Sequence, residues 1–149
     1  MKKLSFISPV IIAMLSGCAT TPTASSSAEE VSLDRMYIKE ENRAKTGERN
    51  ASLTIVRDGG IWGAACIHRV SVDGKKVFAL KPNEQATVYL KPQEYEVKVD
   101  LAASSLCPYA QVDEVINLEP NQQRTFRISS AMSLNKALTL TEVKIINHS

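Results

Sequence analysis

From Ala51 onward the apolar residues recur with a period of two, and short turn sequences interrupt them at intervals of 8–15 residues. Residues 95–101 show this most cleanly. Tyr95, Val97, Val99 and Leu101 fall on one face, and Glu96, Lys98 and Asp100 on the other. Side chains alternate across a strand, so this pattern suits a sheet with one buried and one wetted face. Leu53 and Ile55 alternate with Ser52 and Thr54, and Cys66, His68, Val70 and Val72 with Ile67, Arg69 and Ser71. Asp73-Gly74 is a strong two-residue hairpin signal and leads into Lys75 to Leu80. Lys81 to Glu84, Lys91 to Glu94 and Glu119 to Asn121 read as further turns. Between and beyond them lie strands at 86–90, 112–118, 124–129 and about 137–145. The expectation is an all-β fold, a small antiparallel β-sandwich of about seven strands spanning residues 50–149.

The chain ahead of this region is different in kind. Lys2 and Lys3 precede an apolar stretch from Leu4 to Leu15. It is shorter than the roughly 20 helical residues needed to cross a bilayer, so residues 1–17 read as a cleaved signal peptide. Leu15-Ser16-Gly17-Cys18 resembles the bacterial lipobox, an aliphatic residue and two small ones before an obligatory cysteine. The resemblance implies cleavage before Cys18, a diacylglyceryl thioether on its sulfur and a further acyl chain on the new amino group. Acyl chains contribute about 0.8 kcal/mol per buried CH₂, so two or three make a durable membrane anchor. The residue after the cysteine is Ala19 rather than Asp, which favours the outer membrane, facing the periplasm.

Residues 18–28 begin with the lipidated cysteine and continue as small, polar side chains. This composition buries too little surface to offset ordering and reads as a flexible tether. Residues 29–49 are charge-rich. Leu33, Met36 and Tyr37 share helical spacing, so a short helix or an irregular lead-in both fit.

Loss of the first 17 residues leaves 132, the size of one domain with its tether. It also removes two of 18 basic residues, so 16 face 16 acidic ones and the mature chain is neutral. No basic run with interleaved aromatics occurs, which argues against a nucleic-acid partner. With Cys18 assigned to lipid, Cys66 and Cys107 remain in an oxidising compartment where a disulfide is the default. Both fall on inward registers, from which a bridge could join the two sheets.

Catalytic chemistry is sparse. His68 sits on an apolar strand register and reads as a hydrogen-bonded core histidine, and His148 is the penultimate residue. Glu94, Glu96 and Asp100 share one strand face with Lys98, a solvated face rather than an acid pair. No phosphate-binding glycine loop, HExxH or GxSxG motif is present, and no metal or cofactor is expected. The most suggestive segment is Asp58-Gly59-Gly60-Ile61-Trp62-Gly63-Ala64-Ala65. Its glycines permit close backbone approach and positive φ, and Trp62 is its natural anchor. Gly60, Trp62 and Gly63 are therefore the candidate binding residues. The competing reading folds Trp62 back onto the core near Cys66.

The run Val70-Ser71-Val72-Asp73-Gly74-Lys75-Lys76-Val77-Phe78-Ala79-Leu80, then Ala86 through Val97, resembles PEGA-type modules and small bacterial lipoproteins of unassigned function. The likeness covers about residues 51–130. Gln93 stands where the glycine after the turn proline is usual, and the small Thr-Pro element is missing. The resemblance implies surface presentation or envelope scaffolding and supplies no catalytic residue. The expectation is a non-enzymatic envelope lipoprotein binding a protein or cell-wall partner. Alternatives are a small-molecule or glycan binder using residues 58–65, and a hydrolase inhibitor.

Overall fold

The computed structural model describes residues 20–40, 43–60, 63–101, 107–131 and 137–144. The expected sandwich is present. Its strands are β1 (Glu29–Glu30), β2 (Ala51–Arg57), β3 (His68–Val72), β4 (Lys75–Leu80), β5 (Glu84–Leu90), β6 (Glu94–Leu101), β7 (Gln111–Asn117), β8 (Gln123–Ser130) and β9 (Leu138–Glu142). They form a five-stranded sheet in the order β1-β5-β2-β8-β9 and a four-stranded sheet in the order β4-β3-β6-β7.

Alternation decides which side chains meet between the sheets. Leu53 and Ile55 of β2, Val88 of β5 and Phe126 and Ile128 of β8 face Val70, Phe78, Leu80, Val97, Val99 and Ile116 of the other sheet. Tyr95, Val97, Val99 and Leu101 are buried as the alternation demands. Turn chemistry follows the sequence closely. Asp73 and Gly74 both take positive φ (47° and 73°), the left-handed pair that closes a tight hairpin. Asn83 and Asn121 occupy the same left-handed region, which asparagine tolerates.

Two pairings depart from a purely antiparallel sandwich. β2 runs parallel to β8, with Ile55 opposite Phe126, and β1 runs parallel to β5. Local alternation cannot reveal these pairings, since they join segments far apart in sequence.

The region before β2 also differs from its expectation. Residues 29–40 form no α-helix. The two-residue strand β1 pairs with β5, a 3-10 turn covers Leu33–Arg35, and Met36 bridges Phe78 on β4. The reason lies in two open strand edges. Val31 N–H donates to Gln85 O, and Tyr37 N–H to Val77 O, so this stretch satisfies backbone groups of β5 and then β4. Arg35 locks the crossing. It forms a two-pronged ion pair with Glu84, one prong 2.6 Å long, and donates to Ala79 O at 3.1 Å. Burial alone would raise the Glu84 carboxyl, but the Arg35 guanidinium and the Lys81 N–H hold it below its ordinary value.

Residues 20–28 are not a free tether. They cross the outer surface of the five-stranded sheet as a strap and make a backbone bridge between Thr21 and Gly59. Val56 points away from the core yet is almost fully buried. Pro22, Thr23, Ala24 and Ser25 line one cleft with it.

Candidate functional site

The segment flagged by its glycines and tryptophan leaves β2 at Arg57. It returns to β3 at His68, at the end of the sandwich where β2, β4, β6 and β8 finish. Trp62 and Ile61 lie outside the described residues, as do Cys18 and His148. The rest of the segment is held by a dense polar set.

Arg57 braces the loop from beneath. It is only 2% exposed, and its guanidinium donates to Cys66 O at 2.6 Å, Leu80 O at 2.8 Å and Gly63 O at 2.5 Å. The planar, multi-donor head of arginine suits three converging carbonyls in a way a lysine cannot. Burial lowers its pKa to about 10, with Glu84 opposing the shift, so it stays charged near neutrality. Arg57 was not among the sequence candidates. Its signal was the register itself, because Leu53, Ile55 and Arg57 share one face, so the third must point inward.

His68 is fully buried, and its Nε2 lies 3.0 Å from Ser130 Oγ. Burial first, and Arg57 second, lower its pKa to about 3. It is therefore a neutral, hydrogen-bonded core histidine. Such a ring is a poor general base for Ser130, and no carboxylate is bonded to its Nδ1.

Asp58 anchors the strap. At 3% exposure its Oδ1 accepts the Thr23 N–H at 3.0 Å, and its Oδ2 lies at an ion-pair distance of 3.4 Å from Arg127 Nε. Gly59 N–H donates to both Thr21 O and Thr23 Oγ1 at 3.0 Å, and Thr23 Oγ1 donates to Asn83 Oδ1 at 2.9 Å.

The glycines therefore serve the chain's own packing. A Cβ on Gly59 would lie 2.2 Å from Asn83 Oδ1. One on Gly60, at φ 116°, would lie 3.2 Å from Thr20 Cα and Thr21 N. Gly63, at φ 68°, has nothing nearer than 3.9 Å, and its role is conformational.

Cys66 and Cys107 form the expected disulfide, with Cα atoms 5.6 Å apart. It does not join the two sheets. Cys66 precedes β3 rather than lying on it, Cys107 follows β6, and β3 and β6 are neighbours in one sheet. The bridge ties two adjacent connections and packs on Leu101 and Ala110. With the cysteines 41 positions apart in sequence, the loop-entropy model assigns the bridge about 4 kcal/mol.

Two open clefts flank the strap, of about 230 and 380 Å³, and share Pro22 and Arg127 in their walls. Their remaining lining is mostly small side chains, and Asp58 and Ser130 already hold partners within the fold. Among the described residues, no group of three His, Cys, Asp or Glu is placed to hold a metal ion. Comparison with protein-family models, with curated proteins and with solved structures finds no match.

Proposed function

We propose that this chain is an envelope lipoprotein, held through lipid on Cys18 at the outer membrane facing the periplasm, whose sandwich is a non-enzymatic binding or scaffold module. The observation that supports this reading most is the docked strap. The lipobox-like Leu15-Ser16-Gly17-Cys18 ends two residues before a segment that is part of the folded domain. Such an arrangement suits a protein whose place relative to a membrane matters. The resemblance to PEGA-type modules points in the same direction. A glycan or small-molecule site at residues 58–65 has less support, because the approach that Gly59 and Gly60 permit is taken up by Asn83 and the strap.

The test is metabolic labelling with palmitate, followed by fractionation and cross-linking in intact cells. The expected result is label on the wild-type protein in the outer-membrane fraction and a discrete cross-linked envelope partner. Cys18→Ala should lose both label and membrane association. An unlabelled wild-type protein in the soluble fraction would contradict the anchor, and the absence of any cross-linked partner would contradict the binding role.

A further inference from the structure

The described residues of the connections at the strap end of the sandwich are nearly free of charge. Among the described residues of these connections, 58–60, 63–67, 81–83 and 107–110, only Asp58 and Lys81 are charged, and Asp58 is buried against the strap. Two exposed large apolar side chains stand there among the described residues, Ile67 at 38% exposure and Tyr109 at 68%. The opposite end is built of charged connections, with Lys45, Glu48, Asp73, Lys75, Lys91 and Glu119 on its turns. The two ends of one small sandwich thus offer very different surfaces to water.

The strap adds direction to this asymmetry. Thr20 packs on Gly60, and Thr21 is bridged to Gly59, at the rim of the charge-poor end. Consecutive Cα atoms are 3.80 Å apart, so Cys18 lies within about 7 Å of Thr20. A lipid on that sulfur would enter the bilayer beside this end, on a leash too short to let the domain turn over.

We propose that the charge-poor end is a membrane-facing surface, seated on the phospholipid headgroups. This rests on the anchor at Cys18 proposed above. The chemistry fits a headgroup layer. Tyrosine is favoured at a membrane–water interface, where its ring is buried and its hydroxyl stays wet. Lys81 carries the sign that anionic phospholipids attract. The charged end with Lys75 and Lys91 then points away from the membrane, towards soluble or cell-wall partners. Asp58 is the latch, since its bond to Thr23 holds the strap against the domain.

The full mature lipoprotein, reconstituted in phosphatidylethanolamine–phosphatidylglycerol vesicles, provides the test. A nitroxide is placed at Lys81→Cys on the strap end, or at Lys75→Cys on the far end, and its collisions with a water-soluble nickel chelate are measured. The label at 81 should collide at least about threefold less often than the label at 75, with the contrast reduced in an Asp58→Ala background. Equal collision rates for the two labels on protein whose mass shows the acylated Cys18 would overturn the orientation while leaving the anchor intact. A mature protein without acyl mass on Cys18 would overturn the anchor, and the orientation with it.

Discussion

The carboxylate of Asp58 accepts the backbone N–H of Thr23 at 3.0 Å, across 35 residues of sequence. That bond makes a stretch with the composition of a tether into part of the domain. It is supported on one side by Gly59, whose N–H donates to Thr21 and Thr23, and on the other by Asn83, which accepts from the Thr23 hydroxyl.

The strap depends on a residue without a side chain at 60. Gly60→Ala must place a Cβ 3.2 Å from Thr20 Cα while holding φ at 116°. A non-glycine residue in such a conformation costs on the order of 1–3 kcal/mol. Gly47, with nothing within 4 Å, provides the control. Urea denaturation should show Gly60→Ala destabilised by that amount and Gly47→Ala unchanged within about 0.5 kcal/mol.

Arg57 holds three carbonyls that lie away from water. Arg57→Met removes the donors and leaves those oxygens unsatisfied, for an expected loss of about 3–5 kcal/mol. Arg57→Lys keeps the charge but cannot reach all three, and should fall between Met and wild type. Limited proteolysis should cut within residues 58–66 sooner in both variants than in the wild-type protein.

The buried His68 ring makes the fold acid-sensitive above the range where carboxylates titrate. Its folded pKa, about 3, lies below the ordinary histidine value of 6.5 because the ring is buried beside Arg57. An unfolded chain therefore gains a proton at His68 as pH falls through 6.5, and the folded chain does not. Stability from this group is complete above pH 6.5 and declines as pH falls towards 3. At about 1.4 kcal/mol per pH unit, the loss between pH 6.5 and 5 is about 2 kcal/mol. Replacing the ring in His68→Gln should flatten that part of the stability profile, as read by denaturation at a series of pH values.

The strands were legible because their faces differ. Tyr95, Val97, Val99 and Leu101 could be assigned inward without knowing a single neighbour, and Asp73-Gly74 announced the β3–β4 hairpin. The parallel pairing of β2 with β8 was not, since register between distant strands leaves no local mark. Counting cysteines identified the disulfide pair, but strand alternation alone could not say that β3 and β6 share a sheet. Thr21, Pro22 and Thr23 carry no apolar pattern at all. Their docking depends on two backbone bonds, the Thr23 hydroxyl's bonds with Gly59 and Asn83, and one distant carboxylate, which only the folded chain brings together. Arg57 lay between these extremes, legible from its register and hidden by its charge.

The central claim is that residues 20–28 belong to the folded domain, and amide hydrogen exchange on the mature lipoprotein in detergent micelles tests it most directly. The Thr21, Thr23, Gly59 and Val31 amides each donate within the fold. They should exchange far more slowly than an unstructured chain, and Asp58→Ala should speed Thr21 and Thr23 while leaving Val31 slow. Exchange of Thr21 and Thr23 at the unstructured rate in the wild-type protein would contradict the account and return this segment to a free tether.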